Sequence, residues 1–151
     1  VKLEEALQTS RFRNETHKAS LNILYTSWWL KTTMSRELKS FGLTHEQFNV
    51  MRILKGKAPE MMCVKDITGR MIERNSNVPR IIDRLVEKKL VKRQTDSNDK
   101  RHTVVQLTPV GIRLLEKSTA GIESLMKNLL VVTEKEASSL NTLLEKIREK
   151  E

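Results

Sequence analysis

The stretch Asn75-Ser-Asn-Val-Pro-Arg-Ile-Ile-Asp-Arg-Leu-Val-Glu-Lys-Lys89 runs directly into Leu90-Val-Lys-Arg-Gln-Thr95, a polar tip Asp96-Ser-Asn-Asp-Lys-Arg101 and the alternating run His102-Thr-Val-Val-Gln-Leu107. In the first part Ile81, Ile82 and Leu85 share one side of a helix, and Ser76, Asn77, Arg80 and Arg84 share the other. The second part reads as two strands joined at a polar tip, so the whole is a helix feeding a two-stranded ribbon. Pro79 limits where the helix begins. A proline in a helix interior costs roughly 3 kcal/mol, whereas in the first turn its missing N–H would be unpaired anyway, which predicts a cap at Asn75 or Ser76.

Upstream, apolar residues at Leu21, Leu24, Trp28, Met34, Leu38 and Phe41 predict a long helix from about residue 13 to 41, stopped by Gly42. Thr44-His-Glu-Gln47 is a capping box for a second helix carrying Phe48, Met51 and Leu54 inward. Met62-Cys-Val64 is short enough to be a minimal strand, and Val64 to Met71 a third helix, separated from the basic helix only by Ile72-Glu-Arg-Asn75. Such a short connection suits a helix-turn-helix pair. Downstream, Thr108-Pro109 caps a fifth helix striped by Leu115, Ser118, Ile122, Leu125 and Leu129. Thr133 with Glu136 opens a sixth, striped by Ala137, Leu140, Leu144 and Ile147. These long apolar stripes exceed what the central unit can cover, which predicts pairing with a second chain.

The charge supports a polyanion as partner. The 151 residues carry a formal net charge of +9. From Arg70 to Arg101 ten Lys/Arg face five Asp/Glu, a surplus of +5, while residues 108–151 have seven of each and contribute nothing. The basic surface is therefore local to the helix and ribbon. A helix has the width of a DNA major groove, and an Arg on a ribbon tip can reach a neighbouring minor groove. The single cysteine, Cys63, excludes an internal disulfide framework and fits a reducing cytosol; it reads as a small hydrophobe, with an oxidation-sensing thiol as the alternative. No stretch is apolar enough to span a bilayer and no secretory h-region is apparent, so a soluble cytoplasmic protein is expected. His17, His45 and His102 lack ligand spacing, so no metal is assigned, and no cofactor or catalytic constellation is found.

The run Asp99-Lys-Arg101, three residues, Val105-Gln-Leu107-Thr108 and Pro-Val-Gly111 resembles the D-x-R-x-x-x-V-x-L-T-x-x-G signature of the MarR family, with the preceding helix at the expected distance. The resemblance implies a mainly α fold with a small β-ribbon. It comprises one domain over residues 1–151, a winged helix-turn-helix at about 44–108, and dimerisation helices at about 13–41 and 108–150. It further implies a homodimeric DNA-binding transcription regulator, a repressor, that binds a palindromic operator. On this reading Ser76, Asn77 and Arg80 meet base edges, and Arg84, Lys65 and Arg74 hold phosphates. Lys100 and Arg101 occupy the minor groove, with Asp99 holding the Arg101 guanidinium extended. A small phenolic or anionic effector is expected near Trp28, Phe48 and Met51, between the dimerisation helices and the reading lobe. Two positions depart from the pattern: Lys89 stands where the family usually has Gly, and Pro79 is unusual on the groove-facing helix. The alternative is a winged-helix module that binds an acidic protein partner and no specific DNA.

Overall fold

A computed structural model describes residues 1–96 and 102–149. A short helix α1 (Leu3–Ala6) precedes the long α2 (Glu15–Ser40), whose cap Asn14 accepts from the His17 N–H. Gly42, at φ 68°, then reverses the chain in the left-handed region that a Cβ disfavours. The next helix, α3 (His45–Lys57), opens with the expected capping box between Thr44 and Gln47. After β1 (Met62–Cys63) come α4 (Val64–Arg70) and α5 (Val78–Glu87). The ribbon is β2 (Val91–Thr95) and β3 (Thr103–Leu107), followed by α6 (Pro109–Leu129) and α7 (Glu134–Ile147). Thr108 and Thr133 cap these last helices as the sequence predicts, the latter in a full capping box.

The three strands form an antiparallel sheet in the order β1-β3-β2. Val105 is the centre of its register, opposite Met62 on one side and Arg93 on the other. Its side chain is fully buried, and so are Val91, Ile67, Ile82, Leu85, Val50 and Met51, which places the core between the sheet and α3, α4 and α5. Leu38 from α2 and Leu115 and Ile122 from α6 close the core from the other side.

The start of α5 differs from expectation. Its cap is Asn77, whose Oδ1 accepts from the Arg80 N–H at 3.2 Å, and not Asn75 or Ser76. Those two residues belong to a turn in which Ser76 N donates to Glu73 O and Val78 N to Ser76 O. Pro79 still falls in the first turn, so its lost donor costs nothing there.

The far ends of the chain are differently packed. In α7 no residue is buried, and Leu140, Leu143 and Ile147 are 51%, 60% and 64% exposed. In the first half of α2, Leu24 and Trp28 are 67% and 60% exposed. A helix holds together in water mainly by packing an apolar face, so these faces are left for another surface.

Where α5 meets the ribbon, Lys89 sits at φ 59°. Nearby, a Cβ on Gly111 would lie 2.0 Å from the Leu90 carbonyl oxygen. The two positions make opposite demands. Lys89→Gly should stabilise the fold by about 1 kcal/mol, and Gly111→Ala should destabilise it by about 1–3 kcal/mol, both read from urea unfolding midpoints.

Candidate nucleic-acid interface

The candidate interface, among the described residues, is the outer face of α5 with the start of α4 and strand β2. Ile82 and Leu85 anchor α5 in the core, which turns Arg80 and Arg84 outward, both exposed. Arg80 makes no ion pair among the described residues. Arg84 donates to Glu87 at 2.8 Å, and this hydrogen bond holds its already high pKa higher still. Lys65 is exposed in the first turn of α4. Arg74 is exposed as well, but one of its guanidinium nitrogens donates to the Gly69 carbonyl at 2.9 Å, closing off the end of α4.

Two of the expected base readers are constrained. Asn77 spends its side-chain oxygen on the helix cap and keeps only its amide N–H₂ group for another contact. The Ser76 hydroxyl is buried and makes no hydrogen bond within the described protein, so in this conformation it faces inward and not toward a groove. Asp99, Lys100 and Arg101 lie outside the described residues.

Strand β2 adds cations that the sequence reading did not single out. Beyond Val91 every residue of it is exposed, including Lys92 and Arg93. Arg93 pairs with Asp83 of α5, tying ribbon to helix. The signal lay in the lack of alternation: Lys-Arg-Gln-Thr after Val91 has no apolar residue to turn inward. Residues 80–95 thus carry six Lys/Arg against two Asp/Glu, and both acids are paired within the face.

The opposite side of α5 is held to its neighbours by polar clamps. Lys88 Nζ donates to the Gly42 carbonyl at 2.5 Å and to Gln47 Oε1 at 3.1 Å, binding the end of α5 to the start of α3. Lys31 of α2 donates to Glu73, in the turn before α5, and lies 3.6 Å from Glu46 in α3. A groove of about 390 Å³ runs between these elements, with Glu46, Glu73, Ser76 and Arg80 on its walls.

The expected effector residues are not brought together. Met51 is fully buried in the core, and Phe48 lines a cavity of about 280 Å³ with His45, Arg52 and Ile122. Trp28 instead packs against Tyr25 with the rings tilted, at 5.6 Å between centroids, and borders a separate shallow groove with Lys31 and Arg36. Trp28 lies six residues before Met34, about 9 Å along the axis of α2, and in the single chain it borders the groove at Lys31 and not the cavity at Phe48.

Comparison with known proteins agrees with this architecture. Residues 43–103 match the family model described as MarR family. No curated protein sequence matches the chain. Among solved structures, AbsC, a MarR family transcriptional regulator from Streptomyces coelicolor, has a TM-score of 0.81 at 20% identity, over 93% of this chain and 97% of that one. S. aureus MepR, in a complex with DNA, has a TM-score of 0.79 at 24% identity, over 87% of this chain and 97% of the other. A MarR family regulator from Silicibacter pomeroyi reaches 0.75 at 20% identity, over 89% and 94%. Residues 43–103, which hold the helix-turn-helix and ribbon, thus match the MarR family model, and the chain shares the fold of solved MarR family regulators.

Proposed function

We propose that the protein is a sequence-specific, double-stranded DNA-binding transcription regulator that acts as a homodimer. The observation that carries this reading is the exposed basic face of α5 and β2, on the segment that matches the family, with Arg80 free of any ion pair among the described residues. Counterion release from phosphates drives binding to such a face, and a bidentate Arg on a guanine edge adds preference for one sequence. Arg84, Lys65, Lys92 and Arg74 would hold the backbone and set the register. The bare apolar faces of α2 and α7 support pairing with a second copy, which would place two such faces on successive half-sites. Repression by occupancy of an operator, relieved by an effector, is the regulatory mode of this reading. The cavity beside Phe48, with the Arg52 guanidinium 5.9 Å from the ring centroid, suits a small aromatic anion. No described helix is long and apolar enough to cross a membrane.

Four substitutions, at three positions, test the reading. Asn77→Ala should cost about 1 kcal/mol of stability with or without DNA. Asn77→Asp keeps a good cap, so it should leave the melting temperature unchanged and still weaken duplex binding through charge repulsion. A stability loss in both variants, with no selective loss of binding in Asn77→Asp, would place the α5 cap away from the DNA.

Arg80→Ala should lose roughly 1–3 kcal/mol on the operator and much less on random duplex at fixed salt, measured by fluorescence anisotropy. Equal losses on both would make Arg80 a phosphate contact. Salt-insensitive binding that treats all duplexes alike would favour an acidic protein partner instead.

Leu143→Asp changes a side chain that is 60% exposed in the single chain, so a monomer would tolerate it. A dimer closed on α7 should dissociate, and sedimentation velocity at micromolar concentration should show the wild type at twice the variant's mass.

A further inference from the structure

His45, Glu46 and Glu73 each place one ligand atom within 4.8 Å of the other two. His45 and Glu46 come from the first turn of α3, and Glu73 from the turn that leads into α5. The set was invisible to ligand spacing because its third member is distant in sequence and arrives only through the fold. All three side chains are partly exposed, so they can both move and exchange with solvent.

A cation already occupies the centre of the carboxylates. The Lys31 ammonium donates to Glu73 and lies 3.6 Å from Glu46, which raises the pKa of Lys31, first through the Glu73 hydrogen bond. Burial pushes the Glu46 carboxyl up, but hydrogen bonds from its own backbone and Thr44, with the charge of Lys31, outweigh it and hold the group below its ordinary range. The Glu46 carboxylate is partly exposed on the wall of the groove, where an ion can reach it. Ser76 lines the same groove as Glu46 and Glu73.

We infer that His45, Glu46 and Glu73 form a regulatory site for a divalent transition-metal ion, which Lys31 closes in the metal-free protein. One imidazole and two carboxylates suit zinc better than magnesium or calcium, which take oxygen ligands alone. Ligand atoms of a tetrahedral zinc stand about 3.3 Å apart, so side-chain rotations that close about 1.5 Å complete the set. The ion and the ammonium compete for the same oxygens. Binding releases Lys31 and uncouples α2 from the turn that carries Glu73, Arg74 and the cap of α5. The metal site itself needs no DNA, but its regulatory meaning rests on the DNA-binding reading.

The test is a titration of the full chain with Zn²⁺ against a chromophoric chelator, with Co²⁺ absorption as a second probe and no DNA present. Wild type should bind one ion per chain. Lys31→Met should bind about tenfold more tightly or better, because the competing cation is gone. His45→Gln and Glu73→Gln should each weaken binding at least about tenfold, with melting curves confirming that both fold. Absence of binding in wild type and Lys31→Met alike overturns the site, as does binding that survives His45→Gln and Glu73→Gln together. Zn²⁺ should also shift duplex affinity in wild type and much less in Lys31→Met; equal shifts, or none in either, overturn the regulatory role. A protein that binds zinc as expected and binds no duplex would keep the site and remove the DNA-binding reading.

Discussion

The carbonyl oxygen of Leu90 is the point on which the reading lobe and the closing helices depend. It accepts the Thr108 N–H at 3.0 Å, and the Thr108 hydroxyl, shared between the Lys89 and Leu90 carbonyls at 2.8 and 3.1 Å, in turn accepts the Gly111 N–H at 3.0 Å. Only a residue without Cβ fits against this oxygen, so Gly111 lets the start of α6 lie on the backbone that ends α5. The left-handed backbone of Lys89 follows from the same demand, since the chain must turn at once after Glu87 to present that carbonyl. Ribbon base, end of α5 and start of α6 are therefore one rigid knot. Whatever rotates α6 carries the ribbon with it.

Beyond the packing of Val78, Ile82 and Leu85, α5 is tied to its neighbours along its length by long cations. Lys88 reaches the start of α3, Lys31 reaches the turn before α5, and Arg93 ties β2 back to Asp83. Several bases of a strongly basic protein are thus used inside the fold, and the charge left to meet a polyanion is smaller than the net charge suggests. Exposed pairs of this kind contribute little stability each, about 0–1 kcal/mol. Their contribution is geometric: they fix the angle of α5 while remaining exchangeable, so a competing ion or ligand can loosen them at small cost.

How much was legible in the sequence follows from the range of each signal. Caps are local, so Thr44 with Gln47, Thr108, and Thr133 with Glu136 could be read directly, and each is found in place. The strand alternation of His102 to Leu107 and the reversal at Gly42 were local too. The cap of α5 was misplaced because Asn75, Ser76 and Asn77 are all good capping residues, and tertiary fit of the preceding turn decides among them. The pairing of β1 with β3, the inward Ser76 hydroxyl and the meeting of His45, Glu46 and Glu73 depend on residues far apart in the chain, and no window of sequence contains them. The effector trio is of a related kind: periodicity assigned Trp28 to a helix face and gave no measure of which groove it borders, and in the single chain Trp28 and Phe48 line different ones.

The distribution of burial separates folding from assembly. The central unit has a continuous core from Leu38 to Ile122, whereas α7 and the first half of α2 contribute little to it. α6 belongs to both regions: Leu115, Ser118 and Ile122 are buried, and the stripe continues through half-buried Leu125 and Leu129 toward α7. A partner covering α7 and α2 would consequently act on α6 from its far end, some 20 residues from the knot at Leu90, and a helix of that length transmits a tilt without bending much. The same lever runs in reverse. If two such basic faces sit on one duplex, as proposed, a change in their spacing appears as a change in how the outer helices pack, which would link the reading surface to the state of assembly.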